Sequence, residues 1–263
     1  MKVDVFDLNG KQAGKIELPK VFSEQVREDL IRRAVVSAQS KHRQPYGTDP
    51  YAGLRSSAHY HGYRRHRYAM MNREMARMPR IHGKTSPNLT WRPRLVPQAV
   101  KGRAAFPPLV EKVWTQKIND KERKKAIRSA IAATAIKEIV AKRGHKFSTQ
   151  ELPIVVDDGL QSLKKAKDVV EFFKKIGLDA ELKRISKKKV RAGKGKTRGR
   201  KYKKKIGPLV VFVEDKGIVR AVKNLQGVHA CKAGNLSAEL LAPGAMPGRL
   251  AIFTESAIKK LGE

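Results

Sequence analysis

The chain has 263 residues, 40% hydrophobic and 31% charged, with 58 Lys and Arg against 24 Asp and Glu and a formal net charge of +34. That length suffices for one or two domains with a real core, while the charge excludes an ordinary cytosolic enzyme and calls for a polyanionic partner. A single cysteine, Cys231 in the apolar run VHAC, excludes a disulfide framework and a Cys-based zinc site and reads as a small buried thiol in a reducing compartment.

Residues 2–8 (KVDVFDL) alternate apolar and polar and run into Asn9-Gly10, the pattern of a strand and a hairpin turn. The opening MKVDVFDLNG is thus a strand and not a signal peptide, for no apolar stretch follows its first charges. No apolar run approaches bilayer length. KIEL (15–18) is a short return strand. Ser23 is placed to cap a helix in which Val26, Leu30, Ile31, Ala34, Val35 and Ala38 share one face, ending near Ser40.

Residues 41–110 break this regularity. They hold fourteen Lys and Arg against only Asp49 and Glu74, with five of the seven histidines, five of the six tyrosines and eight of the thirteen prolines. Such a segment buries too little apolar surface to offset its ordering entropy. A disordered linker is the plain alternative, but linkers are poor in Tyr and His. The segment reads as an arm ordered by a partner, with Tyr, His and Trp91 as stacking faces between the arginines. Within it, 68–78 is a candidate short helix with Met71, Met75 and Met78 on one packing face before Pro79, and 82–97 is too Pro-rich for regular structure.

Asn119-Asp120-Lys121-Glu122 is a capping-box pattern opening a long helix with a stripe of Ile127, Ile131, Ala135 and Ile139, closed by Gly144. IVV after Pro153 is a strand buried on both faces. A helix from about 164 to 176 ends at Gly177, and 178–182 is a candidate strand. PLVVFVED (208–215), VHAC (228–231) and RLAIFT (249–254) are further strands; 218–225, 236–243 and the C-terminal ESAIKKLGE are helical. Short apolar strands alternating with amphipathic helices give an α/β fold, three-layer α/β/α with a mainly parallel central sheet, plus a long extended internal loop. The chain is one such domain over 1–263, interrupted by 41–110 and by a second basic segment, 184–205.

That second segment contributes +13 with no acid, and the two together carry +25 of the +34. In 41–110 Arg outnumbers Lys eleven to three, which suits forked contacts on a shaped RNA surface; in 184–205 Lys leads nine to four, which suits bulk neutralisation of phosphates. GKGKT (193–197) lacks the earlier glycine of a nucleotide-binding loop, since Val190 stands there, and follows a Lys run instead of an apolar strand. Asp157, Asp158, Glu214 and Asp215 end parallel strands, where an enzyme would hold a metal; a metal-dependent nucleic-acid enzyme is therefore the alternative reading, set against carboxylates that only cap helices and turns. His59, His61 and His66 have no Asp, Glu or Cys beside them and are flanked by Arg64, Arg65 and Arg67, so no metal is expected there. A basic chromatin-type architectural protein is a third possibility, separable by competition between rRNA and duplex DNA.

RAGKGKTRGRK (191–201), GPLVVFVEDKGIVRAVKNLQGV (207–228), LLAPG (240–244) and GRLAIFTESAIKKL (248–261) resemble the large-subunit ribosomal protein L-four family, and ARMPRI (76–81) and GRAAFPP (102–108) resemble stretches of that family's internal loop. The match is nearest the archaeal type: a Met- and Arg-rich sequence replaces the Gly-rich loop tip of bacterial members, and the long C-terminal extension of eukaryotic members is missing. The resemblance implies a non-enzymatic protein of the cytoplasmic large ribosomal subunit, seated near the 5′ region of 23S rRNA, with its loop lining the polypeptide exit tunnel. It implies rRNA contacts for Arg55, Arg64, Arg65, Arg67, Arg92, Arg94, Lys101 and Arg103 along the loop. In the second extension it implies them for Lys187, Lys188, Lys189, Arg191, Lys194, Lys196, Arg198, Arg200, Lys201, Lys203, Lys204 and Lys205. Arg73, Arg77, Arg80 and Lys84 would lie at the tunnel end of the loop. The implied partners are 23S rRNA, neighbouring large-subunit proteins and the nascent polypeptide, with no membrane, no homo-oligomer and no cofactor.

Overall fold

Strands β1 (Lys2–Phe6) and β2 (Gln12–Glu17) form the expected antiparallel hairpin across the Asn9-Gly10 turn in a computed structural model that describes residues 1–149 and 151–262. β1 then pairs in parallel with β3 (Ile154–Val156). β6 (Leu209–Phe212), β7 (His229–Lys232) and β8 (Ala251–Thr254) complete a six-stranded sheet in the order β2-β1-β3-β8-β6-β7, parallel at every step but the first. The two remaining strands, β4 (Lys189–Val190) and β5 (Tyr202–Lys203), form a separate hairpin in the second basic segment.

The central strands read as unbroken apolar runs because both faces are covered. Side chains alternate across a strand, so Val155, Leu209, Val211 and Phe253 enter one core while Ile154, Val156, Val210, Phe212 and Ile252 enter the other. The first core is closed by α1 (Glu28–Lys41), α2 (Asp120–Ala135), α7 (Ala238–Leu241) and α8 (Glu255–Gly262), which contribute Ile31, Val35, Ala130, Ile131, Leu241 and Ile258. The second is closed by α4 (Ala166–Lys175), α5 (Asp179–Ser186) and α6 (Ile218–Lys223), through Val169, Phe172, Phe173, Ile185, Ile218 and Val222. The expected three-layer α/β/α arrangement is present.

Four local expectations are corrected. Ser23 caps no α-helix: it ends a 3-10 turn over Lys20–Ser23, its Oγ donates to the Lys20 carbonyl at 2.9 Å, and α1 starts at Glu28. The long Ala/Ile helix is broken at Ile136, whose extended backbone (φ −89°, ψ 107°) separates α2 from α3 (Lys137–Lys142). Asn119 stands at the N-cap as the capping box requires, yet its side chain makes no cap bond. Residues 178–182 are the N-cap and first turn of α5 and not a strand, because Leu178, Leu182 and Ile185 recur at helical spacing, with Leu178 and Ile185 buried, and Asp179 and Lys183 pair at 2.6 Å one turn apart. Gly144 and Gly177 do close their helices, with φ of +94° and +85° that glycine adopts freely.

Ser237 makes the cap that Ser23 does not, accepting a hydrogen bond from the Leu240 N–H at 3.3 Å. Ser237→Ala should therefore cost about 1 kcal/mol in urea denaturation, while Ser23→Ala should stay within about 0.5 kcal/mol. Equal costs would show that the capping geometry is wrong.

Contacts divide the chain into two units, Met1–His42 with Thr115–Glu263, and Arg43–Trp114. Among the described residues no helix is long and apolar enough to cross a membrane.

Candidate nucleic-acid interface

The unit Arg43–Trp114 is held together mainly by rings, cations and backbone. At its two ends Tyr46 stacks on Trp114 (centroids 5.7 Å, 17°), and the Arg43 guanidinium lies 3.6 Å from the Trp114 ring centroid. Further along, the Thr48 N–H donates to the Pro108 carbonyl at 3.2 Å, and a Cβ on Gly53 would meet the Gly102 carbonyl oxygen at 2.5 Å. The two legs thus run antiparallel in close contact. Beyond them, Arg80 is bridged to both His59 and Pro93, so three passes of chain lie side by side.

No helix forms over 68–78. Asn72 turns the chain with φ of +58°, and Met71, Met75 and Met78 are each only half-buried. Ala58, Ala69, Met70, Arg80 and Ile81 are the buried residues of this unit, too few for an apolar core of ordinary size.

Arg80 differs from its neighbours. It is 9% exposed, and its guanidinium donates to the carbonyls of Trp91 (2.8 Å) and Ala76 (3.0 Å). Arg64, Arg65, Arg67, Arg73, Arg77, Lys84, Arg92, Lys101 and Arg103 are exposed and, among the described residues, paired with no carboxylate. Two of them face rings: Arg73 lies 4.6 Å from the Trp91 centroid and Arg67 lies 5.4 Å from that of Tyr68. Arg55 bonds to Asp49 at 2.6 Å, and Arg94 donates to the Val100 carbonyl.

The second basic segment is a short hairpin. β4 and β5 pair Lys189 with Lys203 and Val190 with Tyr202, and Gly193 and Gly199 take φ near +78° and +77° in the connecting turns. Lys187, Lys188, Lys189, Lys194, Lys196, Arg198, Arg200, Lys201, Lys203, Lys204 and Lys205 are exposed, Arg191 half so, and none of these cations is in an ion pair among the described residues. Lys188 and Lys201 lie 4.7 and 5.6 Å from the Tyr202 ring centroid.

Both feet of this hairpin stand on buried polar groups. Glu181, 0% exposed, accepts from His145 Nδ1 (2.7 Å), the Lys146 N–H (3.0 Å) and the Arg184 guanidinium (2.6 and 2.7 Å). Arg184 also donates to the Ile206 carbonyl at 2.6 Å, and buried Arg249 donates to those of Gly207 (2.9 Å) and Leu240 (2.9 Å). Burial alone would raise the Glu181 carboxyl, but these donors overcome it and hold the group at about 2. Burial lowers His145 despite Glu181, so its neutral ring gives the Nδ1 hydrogen to the carboxylate. Desolvation, with Arg143 nearby, lowers Arg249 to about 10.

The strand-end carboxylates are engaged locally. Asp158 Oδ1 accepts from the Ser256 N–H (3.1 Å), Ser256 Oγ (2.6 Å) and Gln161 Nε2 (2.9 Å). Asp157 caps the Gly159 N–H, Asp215 accepts from the Gly217 and Val219 N–H groups, and Glu214 pairs with Lys216 at 3.4 Å. Among the described residues these four do not gather as a metal-ligand group; the one group that does is His59, His61 and His82. Sequence reasoning weighed His66 with the first two, expected no metal there, and missed His82, which only the chain reversal between them brings near. It also passed over Arg43, Tyr46 and Trp114, although a cation and two rings at opposite ends of one irregular segment were a usable signal.

A parallel sheet between helical layers, carrying exposed cationic, ring-bearing segments, defines a class of basic α/β protein suited to polyanions. The family model described as Ribosomal protein L4/L1 family matches residues 16–263. The protein named Large ribosomal subunit protein uL4 from Methanopyrus kandleri is 48% identical, covering 100% of this chain and 98% of its own. Those of the same name from Archaeoglobus fulgidus and Methanocaldococcus jannaschii are 48% and 47% identical, each covering 100% of this chain and 99% of its own. The chain belongs to the ribosomal protein L4/L1 family.

Proposed function

We propose that this protein is a structural constituent of the cytoplasmic large ribosomal subunit that binds 23S rRNA near its 5′ region and lines part of the polypeptide exit tunnel with residues 41–110. The observation that carries this is the exposed cationic hairpin over 187–205, whose charges have no carboxylate partner among the described residues. Unpaired lysines on a short hairpin neutralise phosphates without reading bases. The insertion adds what a shaped RNA surface needs, guanidinium groups interleaved with rings. Its small core supports a segment that orders as it binds. The names of the archaeal relatives, large ribosomal subunit proteins, agree with this seat. Neighbouring large-subunit proteins and the nascent polypeptide are the other partners of the reading, which needs neither catalysis nor a cofactor.

Binding of the full-length protein to 23S rRNA should weaken steeply with salt. If about ten phosphates are neutralised, the slope of log affinity against log salt should lie near −7 to −9. A nearly flat response, measured by filter binding between low and physiological salt, would overturn the reading.

A further inference from the structure

We propose that His59, His61 and His82 form a three-imidazole site for a late transition-metal ion, zinc by preference, that ties two passes of the insertion together. Their ligand nitrogens all lie within 4.8 Å of one another. The rings make a nearly regular triangle, with centroids 4.1 Å (His59–His61), 4.2 Å (His59–His82) and 4.7 Å (His61–His82) apart. His61 Nε2 and His82 Nε2 are 3.0 Å apart. Nitrogens on a tetrahedral zinc with bonds of about 2.0–2.1 Å stand about 3.3 Å apart, so this pair needs to open by a few tenths of an ångström and the widest separation to close by roughly 1.5 Å.

The surroundings favour ligation. His59 Nδ1 faces the Ser57 carbonyl at 3.4 Å, and a hydrogen placed there leaves Nε2 free to bind, the usual way a ligating imidazole is oriented. His66 stacks behind His61 (4.3 Å, 23°) and Tyr68 behind His82 (4.3 Å, 14°), holding both rings from outside the triangle. Backbone bonds hold the passes: the Arg80 N–H donates to the His59 carbonyl at 3.2 Å and the Met70 N–H to that of His61 at 3.4 Å. Nitrogen-only ligation suits zinc, copper or nickel and not calcium or magnesium, which want oxygen. The nearby Arg64 and Arg65 are exposed, where water screens their repulsion of a cation. A fourth position is left for water or an anionic oxygen.

The test uses metal-stripped full-length protein titrated with Co²⁺ and then Zn²⁺. A visible absorbance typical of four-coordinate Co²⁺, saturating at one ion per chain and displaced by Zn²⁺, is the expected result. His59→Ala, His61→Ala and His82→Ala should each weaken binding about a hundredfold or more, since even outer partners of ligands are worth 10–100-fold. His42→Ala should leave it within about threefold, and hydrogen exchange over residues 59–82 should slow on adding Zn²⁺. No saturable binding, or equal binding by the His59/His61/His82 triple alanine variant, overturns the proposal. So does loss of binding in the His42→Ala variant alone.

Discussion

Replacing the nine lysines of residues 187–205 by glutamine should leave the protein folded and cost it about a hundredfold or more of its affinity for 23S rRNA at physiological salt. The folding half follows from exposure: these side chains are exposed, two of them over the Tyr202 ring, and the hairpin's two residue pairs contribute nothing to either core. The affinity half follows from counterion release, which gives each phosphate contact about 0.7–0.9 in the log–log salt slope. If six of the nine lysines touch phosphates, the slope should flatten by about 4 to 5. The measurement is the wild-type and variant slopes side by side, with circular dichroism melts as the folding control. An unchanged slope with an intact melt would remove this hairpin from the interface.

Glu181→Gln is expected to have the largest effect on stability. Its carboxylate collects four donated hydrogen bonds in a fully buried place, and an amide there would turn N–H toward N–H. Breaking a buried charge network of this kind costs about 3–5 kcal/mol, which for a chain of this size lowers the melting temperature by about 10 °C. The pH dependence has a defined sign. Glu181 titrates at about 2 when folded against an ordinary 4.5, so its contribution, about 3 kcal/mol, is present above pH 4.5 and drains away as pH falls toward 2. His145 is lowered from 6.5, so the unfolded chain takes up its proton first and acid destabilises the fold from about pH 6.5 downward. The difference in stability between wild type and variant should therefore shrink on acidification. A difference that stays constant from pH 7 to 3 would contradict the assigned charge state.

The sheet was legible because parallel strands covered on both faces must be apolar at every position, as IVV and LVVF are. The break at Ile136 was not, since an Ala/Ile run carries no Gly or Pro to mark it. Residues 178–182 read as a strand in the sequence because their apolar positions are too few to distinguish a period of 2 from one of 3.6 in so short a window. The basic hairpin over 187–205 announced itself through composition, which registers charge directly. The histidine triangle did not, since side chains 21 residues apart meet only through backbone bridges around Arg80 that no spacing rule records.

Arg80 carries a consequence for how such an insertion is built. With its guanidinium bonded to the Trp91 and Ala76 carbonyls, it works as a rivet, tying its own pass of chain to the one at Trp91 where a sheet would use its ladder. Lysine, with one charged atom and no fork, cannot close both carbonyls in that plane. A tally of basic side chains therefore overstates how many remain for phosphate, and in a segment this poor in apolar residues the Arg80 guanidinium acts as part of the core.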